Sequence, residues 1–521
     1  MNNMIPLYSS QQIRSADNFA IENLSIPSIV LMENAARSIL ESIKRRIELK
    51  GKIISVLCGK GNNGGDGLAL AKFLLYEDAQ VNVILLNRAD NLSEDAKVNY
   101  KIFSSLLKYY PNSRIINYSG KKSFLKIKNS QIVIDAIFGT GISGELKEPY
   151  LSVINFANEI DCFKISIDVP SGLNPDTGFG KNAFKADLTI SMAEFKKGLF
   201  INDGKYFSGT TEKGSIGIGD EYFKNLEVKE YLIEPEDALE GIPKRKINDN
   251  KYSSGKVLVI SGSKDFTGAP VLTANSAIKS GAGAVVLACP KSIKSIMQKK
   301  LIEPTIIAYE DNRKGFFSNE NIQEILEKIK WADSLVIGPG LGRETETLEA
   351  IRELIDLASG KKIIIDADAI YAFVGSQKIK SRNDLIFTPH LKEFADLLEL
   401  PIDEIKKDLL TYGKSFSIKS KSYLVLKGAP TLIFNPRGEV FVNSTGNPGM
   451  AKFGVGDVLS GILGAFVSKS LYIEKSIISA VYLHSLSADL LKNKKHEITY
   501  SATEISENFS NAIKFLSDSI L

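Results

Sequence analysis

Three cysteines in 521 residues are too few and too scattered for a disulfide framework or a zinc centre: Cys58, Cys162 and Cys289 show neither pairing nor metal-ligand spacing. They read as buried thiols in a reducing compartment. No run of about 18 apolar residues occurs. The opening MNNMIPLYSSQQIRSADNFA lacks a basic start followed by an apolar stretch. A cytoplasmic protein without membrane contact is therefore expected. An excess of one charge is missing too, since 65 basic and 61 acidic residues leave a net +4. That balance is too even to steer nucleic acid, and Lys44-Arg45-Arg46 and Lys244-Arg245-Lys246 read as solvated faces.

What is there is an ordinary globular composition, 44% hydrophobic and 24% charged. The length exceeds the ~250–300 residues at which one core stops growing, so two domains are expected. Short β-branched runs at 53–57, 81–86, 132–137 and 164–169 alternate with helical stretches, and the same pattern restarts at 257–261, 284–288, 334–338, 362–366, 385–389 and 423–427. The alternation predicts two α/β domains with parallel sheets and crossover helices, the first a Rossmann-like three-layer domain. Residues 220–256 are charged, broken by Pro235 and Pro243 and poor in strand pattern; they read as the connection. The boundary is set near residue 226, giving domains 1–226 and 227–521. Ligands of open α/β sheets bind beyond the carboxyl ends of the strands, so the residues just after each run are the candidates for chemistry.

In the first half, run 53–57 leads into Cys58-Gly59-Lys60-Gly61-Asn62-Asn63-Gly64-Gly65-Asp66-Gly67 and an apolar helix. Such a turn can cradle a phosphate on backbone N–H groups and a helix N-terminus. The plainer reading is a tight turn with Asp66 as helix cap. It matches neither the Walker nor the dinucleotide fingerprint. Asp135-Ala136-Ile137-Phe138-Gly139-Thr140-Gly141 and Asp168-Val169-Pro170-Ser171-Gly172 each put a carboxylate at a strand end before a small-residue turn. The three segments are expected to meet in one crevice.

Together with LMENAA at 31–36, these segments resemble the NAD(P)H-hydrate epimerase family over about 1–220. The resemblance implies substrate contacts at Asn62, Asn63, Gly64, Gly65 and Asp66, at Gly139, Thr140, Gly141, Ile142, Ser143, Gly144 and Glu145, and at Asp168. It also implies a potassium ion on Asn63, Asp135 and Ser171, an amide, carboxylate and hydroxyl set that suits a weakly hydrated cation. Asp168 is the expected acid/base for epimerising the hydroxyl-bearing ring carbon.

In the second half the richest stretch is NSTGNPGMAKFGVGDVLSG, residues 443–461. Asp457 behind glycines at a helix start can accept a proton from an attacking hydroxyl while turn N–H groups hold phosphoryl charge; the plainer reading is a helix cap. With Gly338-Pro339-Gly340-Leu341-Gly342, Asp366-Ala367-Asp368, Thr388-Pro389-His390 and Lys427-Gly428-Ala429-Pro430-Thr431, the stretch resembles the ribokinase-like fold in its ADP- or ATP-dependent NAD(P)H-hydrate dehydratase branch, over about 245–515. That resemblance implies nucleotide contacts at Lys427, Gly428, Ala429, Pro430, Thr431 and Gly456, and hydrate contacts at Ala269, Gly342, His390 and Asp457. His390 has the competing reading of a packed, hydrogen-bonded residue, while His484 and His496 receive no role, Trp331 reads as core and the Asp366/Asp368 pair as structural. The sequence departs from the family pattern at Lys452-Phe453, which could alter access to the anion site, and at Leu391.

The expected function is repair of hydrated NADH and NADPH. The first domain interconverts the R and S hydrates, and the second dehydrates the S form at the expense of ADP or ATP with Mg2+. A homo-oligomer is implied by resemblance alone. The rival readings are a small-alcohol kinase acting on a vitamin precursor, and a first domain that binds without catalysing.

Overall fold

Apolar β-branched segments flanked by helices build two separate sheets, in keeping with the alternation in the sequence. The computed structural model describes residues 4–141, 145–376, 379 and 382–520. Ile142, Ser143 and Gly144, three of the expected hydrate contacts, lie outside the described residues. The chain divides into one unit of Pro6–Val228 and another that begins at Lys229 and also takes in Met4 and Ile5.

The first unit carries a seven-stranded sheet in the order Arg114–Asn117, Gln80–Leu85, Ile53–Cys58, Ile132–Ala136, Phe163–Ile167, Leu188–Met192, Thr210–Gly214. Every pairing is parallel. The order reverses direction between Ile53–Cys58 and Ile132–Ala136, which opens a crevice beyond their carboxyl ends. The helix Asn62–Tyr76 lies directly on this pair: a Cβ on Gly67 would stand 2.5 Å from the Ala136 Cβ. It is buried along nearly its whole length, Leu68 to Leu75 included.

The second unit carries eleven strands: Ile5–Pro6, Glu230–Leu232, Val440–Val442, Leu432–Phe434, Tyr423–Leu426, Asp384–Phe387, Lys362–Ile365, Ser334–Ile337, Lys256–Ile260, Ala284–Pro290 and Thr305–Tyr309. Leu432–Phe434 runs antiparallel to both of its neighbours. From Tyr423–Leu426 through Thr305–Tyr309 the pairing is parallel. One expectation is corrected here. The stretch expected to be a bare connection contributes a strand, Glu230–Leu232, paired in parallel with Val440–Val442 and with Glu230 and Leu232 buried.

Helices Gly268–Lys279 and Val455–Ser468 pack closely, because Gly461 leaves no side chain between them. A Cβ there would stand 2.2 Å from the Thr273 carbonyl oxygen. Cys58 and Cys289 are buried as expected, whereas Cys162 is only partly so. Among the described residues no helix is long and apolar enough to cross a membrane.

Candidate active sites

The first unit holds a cleft of about 470 Å³ at the reversal point of its sheet. Asn62, Asn63 and Asp66 from the glycine-rich segment line it, as do Gly139, Thr140 and Gly141 after Ile132–Ala136 and Asp168 after Phe163–Ile167. Glu145 is exposed. Asp66 does not cap its helix: Gly61 is the N-cap, and Asp66 lies inside the first turn and a half. Its carboxyl is held well above the ordinary range by burial, with Asp168 and Asp17 adding repulsion.

Asp135 is fully buried at the end of its strand. It accepts the Ser171 N–H and hydroxyl, both at 2.7 Å, and the Ile137 N–H at 3.1 Å. Burial pushes its pKa to about 6 against the pull of these hydrogen bonds. The Ser171 hydroxyl in turn accepts the Phe138 N–H at 3.0 Å. Asn63 is buried as well, and neither its carbonyl oxygen nor its amide nitrogen has a partner among the described residues. An unpartnered buried amide costs free energy unless something binds it. A carboxylate whose donors are all neutral lacks a countercharge. Asn63, Asp135 and Ser171 therefore fit an oxygen-ligated monovalent cation.

Two residues went unread in the sequence, one behind this cleft and one in its wall. Lys196 is fully buried, and its ammonium donates to Asp168 Oδ1, the Ser191 hydroxyl and the Met192 carbonyl. Asp17, from helix Ser10–Glu22, lines the same cleft. Burial, countered by Lys196 and reinforced by Asp168, lifts its pKa to about 6. Asp168 has a left-handed backbone, φ 69°, an uncommon conformation for a residue with a side chain.

In the second unit the expected residues come from four neighbouring strand ends. Asp366, following Lys362–Ile365, is buried and accepts the Lys427 ammonium at 2.7 Å, the Thr388 hydroxyl at 2.8 Å and the Ser460 hydroxyl at 2.6 Å. Ser460 lies one turn beyond Asp457 on helix Val455–Ser468, so Asp366 ties that helix to the sheet. Gly454 starts the helix at φ 87°, a conformation that favours glycine. Asp457 makes no capping bond; a Cβ on its neighbour Gly456 would stand 3.4 Å from the Lys427 Nζ. Burial pushes Asp457 to about 6, with Asp366 adding to the shift, Lys427 opposing it and Asp368 adding a little. Burial also acts to lower Lys427, yet Asp366 and Glu393 hold it above its ordinary value.

Gly428, Ala429, Pro430 and Thr431 form the turn after Lys427, with the Thr431 hydroxyl donating to the Gly428 carbonyl at 3.2 Å. Asp368 accepts the Gly342 N–H at 3.0 Å and the Arg343 Nε at 2.8 Å, so the pair read as structural divides between two jobs. Ala269 packs beside this loop, 3.2 Å from where a Gly340 Cβ would lie. His390 is the N-cap of helix Leu391–Leu398: its Nδ1 accepts the Glu393 N–H at 3.1 Å while its side chain remains 54% exposed. Packing and availability to a ligand are compatible in it. His484 is buried, its Nε2 without a partner among the described residues, and burial lowers its pKa to about 4. Lys452 turns its ammonium to the Ile498 carbonyl at 2.9 Å and to the Tyr500 carbonyl, while Phe453 is fully exposed.

Fold and sites together define a two-unit α/β enzyme, with a carboxylate-lined cleft in one unit and, in the other, a half-buried aspartate at a glycine-led helix N-terminus beside a lysine. A family model described as NAD(P)H-hydrate dehydratase matches residues 257–511, and one described as YjeF-related protein N-terminus matches 28–198. The bifunctional NAD(P)H-hydrate repair enzyme of Moorella thermoacetica is 33% identical over 93% of this chain and 92% of its own. That of Methanothermobacter thermautotrophicus is 31% identical over 94% and 92%. A ribokinase-like superfamily protein of Enterococcus faecalis, 28% identical, superposes with a TM-score of 0.50 over 56% of this chain and 98% of its own. The chain belongs to the bifunctional NAD(P)H-hydrate repair enzyme family.

Proposed function

We propose that the chain restores hydrated NADH and NADPH in two steps, epimerisation in the first unit and nucleotide-driven dehydration in the second. The observation that carries the dehydratase step is Asp457, a half-buried carboxylate with its pKa near 6 beside Gly456 and Lys427. A general base works best with a pKa near the operating pH. Asp457 takes the proton of the ring hydroxyl as its oxygen attacks the terminal phosphoryl group of ADP or ATP, brought in with Mg2+. Hydroxide is a poor leaving group and phosphate a good one. The C–O bond then breaks toward phosphate, the adjacent ring carbon loses a proton, and the double bond returns. Lys427 and the turn 428–431 hold the nucleotide, Gly456 N–H faces the moving charge, and Ala269, Gly342 and His390 contact the hydrate.

In the first unit Asp66, whose carboxyl burial holds well above the ordinary range, protonates the ring hydroxyl. The C–O bond breaks with help from the ring nitrogen lone pair, and water leaves. Water then adds to the opposite face of the ring cation and gives its proton to the Asp168 carboxylate, from which the proton returns to the acid. Asn62 to Asp66 and the segment 139–145 hold the hydrate. A potassium ion held by Asn63, Asp135 and Ser171 would supply positive charge beside the substrate phosphates. The enzyme works as a cytoplasmic homo-oligomer.

The test gives the purified chain both hydrate epimers with K+, Mg2+ and ADP or ATP, and follows reduced-nicotinamide absorbance. Nucleotide-dependent recovery of both epimers is expected. Recovery that stops when the S form is exhausted removes the epimerase step, and none at all puts the small-alcohol kinase first.

A further inference from the structure

The least expected feature of the first unit is a lysine with no exposed surface whose ammonium has three acceptors within the protein. Lys196 gives its three N–H groups to Asp168 Oδ1, the Ser191 hydroxyl and the Met192 carbonyl. A lysine ammonium has three donors, so nothing remains to offer a substrate. Asp168 Oδ1 also accepts the Met192 N–H at 3.1 Å. The other carboxylate oxygen, Oδ2, faces Gly139 in the cleft, 2.8 Å from where a Cβ at that position would lie. The left-handed backbone at Asp168 sets this aim, and its own N–H is held by the Ile190 carbonyl at 2.8 Å.

We propose that Lys196 is the positioning residue of the epimerase site: it fastens Asp168 by one oxygen as a carboxylate and leaves the other oxygen as the single base facing the substrate. The proposal rests on the epimerase reading of this unit. Its logic is the contrast among three carboxyls that share the cleft. Asp168 has the ammonium in direct contact; Asp17 and Asp66 do not, and they lie on two other helices, Ser10–Glu22 and Asn62–Tyr76. The remaining charged groups lining the cleft are Lys60, Asp95 and Arg14, whose Nη1 donates to the Thr140 carbonyl at 3.2 Å. Burial holds the Asp66 carboxyl well above the ordinary range, so it stays available as the acid while Asp168 serves as base. One buried cation thereby assigns opposite roles to chemically identical side chains, a pattern that recurs wherever an acid and a base must coexist.

The test uses the full chain with Lys196→Met, Asp168→Asn and the double variant, measuring interconversion of a single purified epimer across pH. Lys196→Met is expected to lower kcat by about 100-fold with KM nearly unchanged, because the lysine touches Asp168 and not substrate. Lys196→Arg, which keeps the charge, restores part of the rate. Should Lys196→Met alone fail to fold, the double variant removes both buried charges together; it is expected to fold and to match Asp168→Asn in rate, since a positioning lysine has nothing left to position. A wild-type kcat in Lys196→Met overturns the proposal, as do a rise in KM alone or losses that multiply in the double variant. A wild-type chain that never interconverts the epimers removes the epimerase reading instead.

Discussion

Neutralising Asp457 isolates the dehydratase step. As a general base it must be ionised, and its pKa is pushed to about 6. About nine-tenths of it is therefore ionised at pH 7 and about one-tenth at pH 5, so kcat on the pure S hydrate falls about tenfold between these values. The slope continues at about tenfold per unit below that. Replacing the carboxylate by an amide of the same shape, Asp457→Asn, keeps the packing and removes the proton acceptor, costing about 10²- to 10⁴-fold in kcat and flattening the acidic limb. Lys427→Met removes the one group that lowers the Asp457 pKa, so its limb moves to higher pH. The assay is initial-rate recovery of reduced-nicotinamide absorbance at saturating nucleotide, with epimer interconversion in the same preparation as the control that must not change. A kcat flat from pH 5 to 8, or Asp457→Asn at wild-type rate, refutes the assignment.

Asn63→Ala removes an amide that has no partner among the described residues, so without potassium the melting temperature of the first unit should stay the same or rise, while the increment gained on replacing Na+ by K+ should vanish. A K+ increment that survives in that variant refutes the cation site. Gly461→Ala drives a Cβ to 2.2 Å from the Thr273 carbonyl and 2.0 Å from the Ser276 hydroxyl, and overpacking of this kind costs about 3 kcal/mol. Urea unfolding of the second unit should show the loss, and an unchanged midpoint would mean the two helices separate freely. Lys452→Ala should loosen the Ile498–Tyr500 segment by about 1 kcal/mol yet leave the nucleotide KM within about twofold, because the ammonium is committed to carbonyls. A tenfold or larger rise in KM would place Lys452 at the anion site after all.

Ten strands were legible, four from Ile53–Cys58 to Phe163–Ile167 and six from Lys256–Ile260 to Tyr423–Leu426, because buried parallel strands read as unbroken apolar runs, whereas Arg114–Asn117, Leu188–Met192 and Thr305–Tyr309 were not read. Asp168 and Asp366 were legible because each stands directly after such a run, and Asp135 because it breaks the apolar character of one at its carboxyl end. Lys196 was not: in AEFKKGLF it looks like half of a surface lysine pair, and only the folded chain shows it buried while Lys197 is not. Asp17 was hidden for the same reason, a carboxylate on an amphipathic helix whose partners are about 50 and 150 residues away. Ser460 and Glu393 escaped because hydroxyls and carboxyls inside a helix carry no local sign of the strand end they will meet. The strand Glu230–Leu232 is three residues long and set among charges; it exists through its pairing with Val440–Val442, which local propensity does not report.

Because Ile5 belongs with the second unit while Pro6 to Val228 form the first, the chain order is not simply one module after another. The smaller unit is spliced into the larger near its beginning, so two covalent joints bound it, at Ile5/Pro6 and at Val228/Lys229. A gene cut at residue 226 would thus not liberate an intact second module. It would carry away the short outer strand and leave the backbone of Glu230–Leu232 as a raw edge, open to pairing with another chain. Expression of the dehydratase half alone is better served by keeping the first few residues and bridging them to Lys229.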